Sequence, residues 1–208
     1  MNYLEHIGKY FLMLGRVFRK PQRSKVFYEA LLKEVEDLGL KSLGIIMFIS
    51  FFIGGVIAMQ TALNLDNPFI PKSLVGFAAK RSIILEFAPT FCSIILAGKV
   101  GSYITSSIGT MRVTEQIDAL EVMGINSLNH LVLPKIIATV FFYPFLISLG
   151  MLLGIFGGWV SGVLSGLFSG ADYIEGIQTD FKPFLLTYSI IKTLIFAFLI
   201  ATVPSYHG

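Results

Sequence analysis

Two ionisable residues stand inside otherwise apolar runs of this chain: Glu86, near the start of the run from Ser82 to Ile108, and Lys192, within the run from Phe184 to Val203. If those runs cross a bilayer, each charge costs about 2.5–3.5 kcal/mol at the helix centre and so faces a cavity, a partner or the opposite charge. Pro89, close to Glu86, has no N–H and leaves the carbonyl of Leu85 without its helical donor. Irregular backbone beside a charge is tolerated at membrane depth where it lines a cavity. A second group of charges is arranged differently. Arg112, Glu115, Asp118 and Glu121 recur every third residue, while Val113, Ile117 and Leu120 fall at i, i+4 and i+7 on one face of a helix spanning about 111–124. Thr110 is a candidate cap for its start, and Gly124 is a suitable terminator. Such a helix suits either docking into a groove on a soluble partner or resting its apolar side among lipid headgroups.

The chain offers no hydrolytic chemistry of its own. It has no Gly-x4-Gly-Lys-Ser/Thr phosphate loop, and its three histidines, His6, His130 and His207, stand apart from one another with no metal-binding or Ser-His-Asp pattern. Cys92, the one cysteine, lies in an apolar run and reads as a packing residue. No cofactor, metal or nucleic acid is expected.

The elements that must carry these residues follow from composition and run length. Hydrophobic residues make up 54% of the chain, charged residues 14%, and mean hydropathy is +0.75, which defines an integral membrane protein rather than a soluble domain. Four apolar blocks, about 42–63, 82–108, 135–168 and 184–203, are each long enough to cross about 30 Å of hydrocarbon. All four are expected to be helices, because a spanning segment must satisfy its own backbone hydrogen bonds. The expected fold is therefore all-α. The third block exceeds the length of one span, so part of it tilts, kinks at Pro144 or emerges early.

Residues 1–41 form a separate N-terminal region ahead of a transmembrane domain over 42–208. They hold eight of the 16 basic residues, with Tyr3, Ile7, Phe11, Leu14 and Phe18 at helical spacing. This is the pattern of a basic amphipathic helix lying on a membrane surface, ended by Pro21; a second amphipathic stretch covers Val26–Leu38. No secretory signal peptide is evident. With the N-terminus inside, cytoplasmic segments collect ten Lys and Arg residues against Lys72, Lys80, Arg81 and Lys182 outside, which favours a cytoplasmic N-terminus and puts the 111–124 helix in the cytoplasm. The segments Asn64–Arg81, with Pro68 and Pro71, and Gly170–Pro183 are then external connectors. Glu86 and Lys192 fall in the same leaflet, about 6 Å and about 12 Å below the outer ends of their helices. Lys99, further down the second span, is expected to snorkel to the cytoplasmic surface.

A stripe of glycines, Gly150, Gly154, Gly158, Gly162 and Gly166, repeats every four residues in the third block. Small residues at that spacing let helices approach closely. The stripe suits packing within the chain better than a dimer seam, though both fit the pattern.

The run GTMRVTEQIDALEVMG, preceded by AGKVGS and followed by LVLPKIIA, resembles the signature of the MlaE (YrbE) permease family, and the LEFAPT segment around Glu86 is similar to a second family sequence. The resemblance covers most of the chain. It implies the membrane subunit of a bacterial inner-membrane ABC transporter moving phospholipid or another hydrophobic molecule between envelope membranes. It further implies a second permease copy, ATPase subunits, an MCE-domain lipid-binding protein and a STAS-domain subunit. By the same resemblance the 111–124 helix couples to the ATPase, and Glu86 and Lys192 lie near the lipid. They would be paired in an empty outward-facing cavity, with Lys192 released to a lipid phosphate on loading. Leu85 replaces an arginine common in the family, and the family's fifth membrane helix has no counterpart in the 208 residues. A secondary carrier or channel for an amphipathic solute is the alternative, and a simple structural ion pair is the alternative for Glu86 and Lys192.

Overall fold

In a computed structural model, which describes residues 3–18, 24–65, 67 and 69–208, every regular element is helical. Pro21 and Pro68, the expected breakers, lie outside the described residues. The elements are α1 (Tyr3–Val17), α2 (Ser24–Glu34), α3 (Leu43–Asn64), α4 (Ser73–Ser82), α5 (Cys92–Val113), α6 (Gln116–Val122), α7 (Ser127–Ser165), α8 (Gly170–Gln178) and α9 (Pro183–His207). Helical winding also continues through the joints. A π turn (Val35–Gly39) and a 3-10 turn (Leu40–Ser42) connect α2 to α3, and a π-helical segment (Ile83–Phe91) connects α4 to α5.

Four continuous helical stretches are long and apolar enough to cross a membrane: Val26–Asn64, Ser73–Val113, Ser127–Ser165 and Pro183–His207. All four expected spans are present among the described residues, and each helix is longer than the apolar run that marked it. Ser73–Val113 has 41 residues, or about 60 Å of helix against about 30 Å of hydrocarbon. Polar flanks that sequence patterning reads as connectors are thus wound into the same helices. Within the expected irregular segment Asn64–Arg81, residues from Ser73 onward are helical and belong to α4. Pro144 lies within α7 without ending it.

The chain forms two compact units. One comprises Met1–Ser42, Ile95–Tyr143 and Ile195–Gly208; the other comprises Leu43–Ile94 and Pro144–Leu194. In the first, α1 turns Met13 and Val17 inward and leaves Leu4, Ile7, Phe11 and Leu12 exposed, an unpartnered apolar face of the kind a bilayer surface covers. Three contacts fix its inner side: Tyr10 Oη with Thr202 Oγ1 at 2.7 Å, His6 Nδ1 with Tyr206 Oη at 3.2 Å, and Asn129 Nδ2 donating to the carbonyl of Val17 at 2.7 Å.

The second unit is held by backbone contact. A Cβ on Gly54 would sit 1.8 Å from the carbonyl oxygen of Gly154, and one on Gly157 would sit 2.0 Å from that of Phe51; α3 and α7 therefore cross where neither can carry a side chain. Gly150, Gly154 and Gly158 face Ser50, Ile46, Ile83 and Ala58 of the same chain, and Gly162 faces Phe168. Gly166 departs from the stripe. It follows α7 with φ +70° and open space around it, so it terminates the helix in a left-handed turn. Cys92 is buried, its Sγ 3.4 Å from Ser50 Oγ.

Gly170–Pro183 contains the short helix α8. Ser169 Oγ caps α8 by accepting from the Asp172 N–H at 3.2 Å. Gly76 and Gly176 let α8 lie against α4, backbone to backbone. Tyr173 is buried under Phe168, their rings stacked 5.1 Å apart, and burial pushes its phenol pKa up. Lys80, which sequence reading places in an external flank, is 1% exposed. Its ammonium donates to the carbonyls of Ile177 and Thr179 at 3.0 and 2.7 Å, closing the C-terminal end of α8.

Candidate functional site

The second unit brings Glu86 and Lys192 together. Lys192 Nζ lies 2.7 Å from Glu86 Oε2 and donates a second hydrogen bond, at 3.3 Å, to the carbonyl of Leu85. That carbonyl is within a turn of Pro89, which has no N–H to offer it. The lysine therefore supplies a donor where the proline removes one. The backbone carrying Leu85, Glu86 and Pro89 is the π-helical stretch Ile83–Phe91, nine residues long. Such wide turns are rare and concentrate at functional sites. Sequence shows a local disturbance here; the winding of the whole segment as a π-helix has no signature beyond Pro89.

The two side chains are unequally covered. Lys192 is 20% exposed and Glu86 62%, so the carboxylate presents an oxygen to the outside of the chain while the ammonium is held behind it. The π-helical segment packs tightly on its inner side: the space bounded by Ser50, Ile53, Ile83, Phe87, Cys92 and Gly154 amounts to about 10 Å³, the room needed for one water. A lipid cannot enter there. On the same stretch of chain Phe91 and Ile94 are exposed, and Phe87 stacks on Phe91 at 5.1 Å. The side chains of Thr90, Ser93 and Ser189, on the same helical stretches, each bury a hydroxyl that has no hydrogen-bond partner among the described residues.

The charged helix of the first unit differs from the expected 111–124 element. α5 runs on to Val113, taking in Thr110, Met111 and Arg112, and the chain breaks at Thr114–Glu115. Glu115 adopts φ 57°, a left-handed conformation that is uncommon for a residue with a side chain. α6 then covers only Gln116–Val122, and Gly124, at φ +74°, follows it as a turn residue. The break removes Val113 from the register of Ile117 and Leu120. Those two are half-buried, whereas Val113, Val122 and Met123 are 84%, 89% and 65% exposed. The apolar surface this segment presents is therefore Val113, Val122 and Met123, with exposed Arg112, Glu115 and Asp118 around it. Glu121 is partly engaged within the chain, accepting from Ser127 Oγ at 2.9 Å. Val122 and Met123 follow the break and lie off the Ile117–Leu120 face, so a helical wheel groups them with the polar residues.

Long apolar helices with an acid–base pair at a π-helical segment describe a polytopic membrane protein of the transporter class. The sequence matches the family Permease MlaE over residues 31–208, and the chain belongs to that family. It is 29% identical over 204 residues to a probable ABC transporter permease protein of Rickettsia bellii, covering 98% of this chain and 78% of the relative. It is 31% identical over 199 residues to the intermembrane phospholipid transport system permease protein MlaE of Haemophilus influenzae, covering 95% and 76%. A plant relative, protein TRIGALACTOSYLDIACYLGLYCEROL 1, chloroplastic, of Arabidopsis thaliana, is 27% identical over 200 residues, covering 95% of this chain and 56% of its own length.

Proposed function

We propose that this chain is the membrane-spanning permease subunit of an ABC transporter that moves phospholipid between envelope membranes, and that Glu86 and Lys192 form its gate for the lipid phosphate. The observation that carries the reading is the asymmetry of the pair. A carboxylate 62% exposed at membrane depth is costly against acyl chains, so the surface beside it belongs to a polar-lined cavity completed outside this chain, by a second copy of the permease. In the empty state Glu86 neutralises Lys192. An arriving phosphate competes with the carboxylate for the ammonium through charge-assisted hydrogen bonds, while the carbonyl of Leu85 keeps the lysine in position. Pro89 maintains that vacancy in the helix.

The energy comes from separate ATPase subunits docking on the 112–123 segment, with Val113, Val122 and Met123 as apolar contacts and Arg112, Glu115 and Asp118 as polar ones. An MCE-domain protein on the outer side exchanges lipid with the cavity, and a STAS-domain subunit completes the assembly. The N-terminus is cytoplasmic and the membrane is the bacterial inner membrane. The count of ten Lys and Arg residues in the cytoplasmic segments against four outside supports this orientation. Residues 1–41 act as an interfacial region and 42–208 as the permease domain.

The test is reconstitution with the ATPase in proteoliposomes. Charge reversal at Glu115 and Asp118 abolishes lipid-stimulated ATP hydrolysis and lipid movement but leaves lipid retained by the purified permease. Equal lipid movement with and without ATP would instead mark a secondary carrier.

A further inference from the structure

The first unit contains a second group of charges that the gate does not use. Around the joint between α2 and α3, Asp37, Leu38, Lys41, Ser42, Lys99, Val100 and Tyr103 enclose a cavity of about 150 Å³. It exists because the helix is irregular there: the π turn Val35–Gly39 is wound wide and the following 3-10 turn Leu40–Ser42 is wound tight, so backbone carbonyls leave the helical ladder. Lys99 Nζ donates to the carbonyl of Lys41, within the 3-10 turn.

The charges do not balance inside this cavity. Asp37 is engaged twice, by the ammonium of Lys41 and by Tyr103 Oη, which donates at 3.0 Å. Lys99 meets no carboxylate among the described residues; a carbonyl is its hydrogen-bond partner. Nearby, Lys135 and Glu34 neutralise each other, with the Lys135 ammonium 5.3 Å from the centre of the Tyr103 ring. Two cations and one anion line the cavity, leaving one positive charge, and an ammonium has three N–H donors of which Lys99 commits one to the carbonyl. A half-buried lysine with free donors beside a second lysine is a phosphate-binding arrangement.

We propose that this cavity is a second phosphate site, separate in its residues from the Glu86–Lys192 gate, in which Lys99 and Lys41 hold the phosphate of an anionic phospholipid headgroup. Its size sets what enters. It is well below the roughly 300 Å³ at which pockets enclose whole drug-sized ligands, so it takes a phosphate and its nearest ester atoms while acyl chains stay outside. With the N-terminus cytoplasmic, the site faces the inner leaflet, whose anionic lipids supply the ligand. The inference uses that orientation from the proposed function but not the gate. A soluble phosphate ester carries the same recognition chemistry and is the other source.

Photocrosslinking on the intact purified protein, without ATPase or transport, tests it. The probe is phosphatidylglycerol with a diazirine close to the headgroup, added in mixed micelles, and adducts are mapped by tandem mass spectrometry. Wild type and Lys99→Arg place adducts on the peptides containing Leu38 and Val100–Tyr103. Lys99→Gln and Lys41→Gln each lower that labelling at least fivefold, with an unchanged melting temperature for at least one of them. A diazirine diacylglycerol without phosphate labels these peptides at the level of the Gln variants. Displacement by millimolar glycerol 3-phosphate assigns the site to soluble phosphate esters; retention of the lipid adducts assigns it to the headgroup. Unchanged labelling in both Gln variants, or equal labelling by the phosphate-free probe, overturns the proposal.

Discussion

If Glu86 holds Lys192 closed against phosphate, removing its charge while preserving its shape makes phospholipid bind more tightly. The size of the effect follows from the geometry. At the 2.7 Å separation of Nζ and Oε2, Coulomb attraction in a water-like dielectric is about 1.5 kcal/mol. The water-like value applies because the Glu86 side chain is 62% exposed and exposed pairs are worth on the order of 1 kcal/mol or less after screening and entropy. A phosphate entering wild type must displace this interaction; one entering Glu86→Gln does not. The expected gain is therefore up to about tenfold in affinity, a factor of ten being about 1.4 kcal/mol. Lys192→Gln removes the phosphate's partner and weakens binding by a similar or larger factor. The double variant resembles Lys192→Gln, because Glu86 acts only through the lysine. The assay is titration of each purified variant in nanodiscs with a fluorescent phospholipid, alongside thermal unfolding to show that all three fold. Tighter binding in Glu86→Gln is also expected to slow release, so lipid movement by the reconstituted transporter falls even though affinity rises. A purely structural pair gives a different pattern: both single variants lose stability, and all retain wild-type lipid affinity. That result would refute the gate.

Three further predictions concern the scaffold. Gly54→Ala forces α3 and α7 apart from a 1.8 Å Cβ contact and is expected to cost at least about 1–3 kcal/mol, whereas Gly98→Ala, with no atom within 4 Å, gains up to about 1 kcal/mol of helix stability; melting temperatures moving together would contradict the crossing. Lys80→Met leaves the carbonyls of Ile177 and Thr179 without their charged donor and is expected to destabilise by about 2 kcal/mol, with hydrogen exchange in α8 rising first. Unchanged exchange there would mean the lysine does not close the helix. Glu115→Gly relieves a left-handed residue by about 1 kcal/mol, so melting rises slightly while Val122→Asp leaves melting unchanged and weakens capture of the ATPase; loss of stability in Glu115→Gly would mean that its side chain holds the break.

Part of the candidate site's geometry was legible in the sequence. Glu86, Lys192 and Pro89 are costly residues for a membrane helix, so each signals a compensating partner, and the carbonyl freed by Pro89 is the one Lys192 reaches. The glycine stripe was legible for the same reason, since only close contact explains a side-chain-free face. Three features were not. The π winding of Ile83–Phe91 depends on how the segment packs, because α and π turns share the same apolar residues. The break at Glu115 is written in no glycine or proline, so a helical wheel continues through it and assigns Val113 to a face it does not share. Lys80, Lys99 and Lys41 look like ordinary flanking cations until the fold brings carbonyls and carboxylates to some of them and not to others.

The sequence by itself determined that this chain carries helices long and apolar enough to cross a membrane and which charges had to be compensated there, because hydropathy and the cost of an ionisable group in lipid are properties of residues and run lengths. Tertiary structure alone decided which partner each charge meets, which glycines touch backbone, and which apolar side chains remain outside. Those depend on the phase of one helix against another, and a single π turn or left-handed residue is enough to change it.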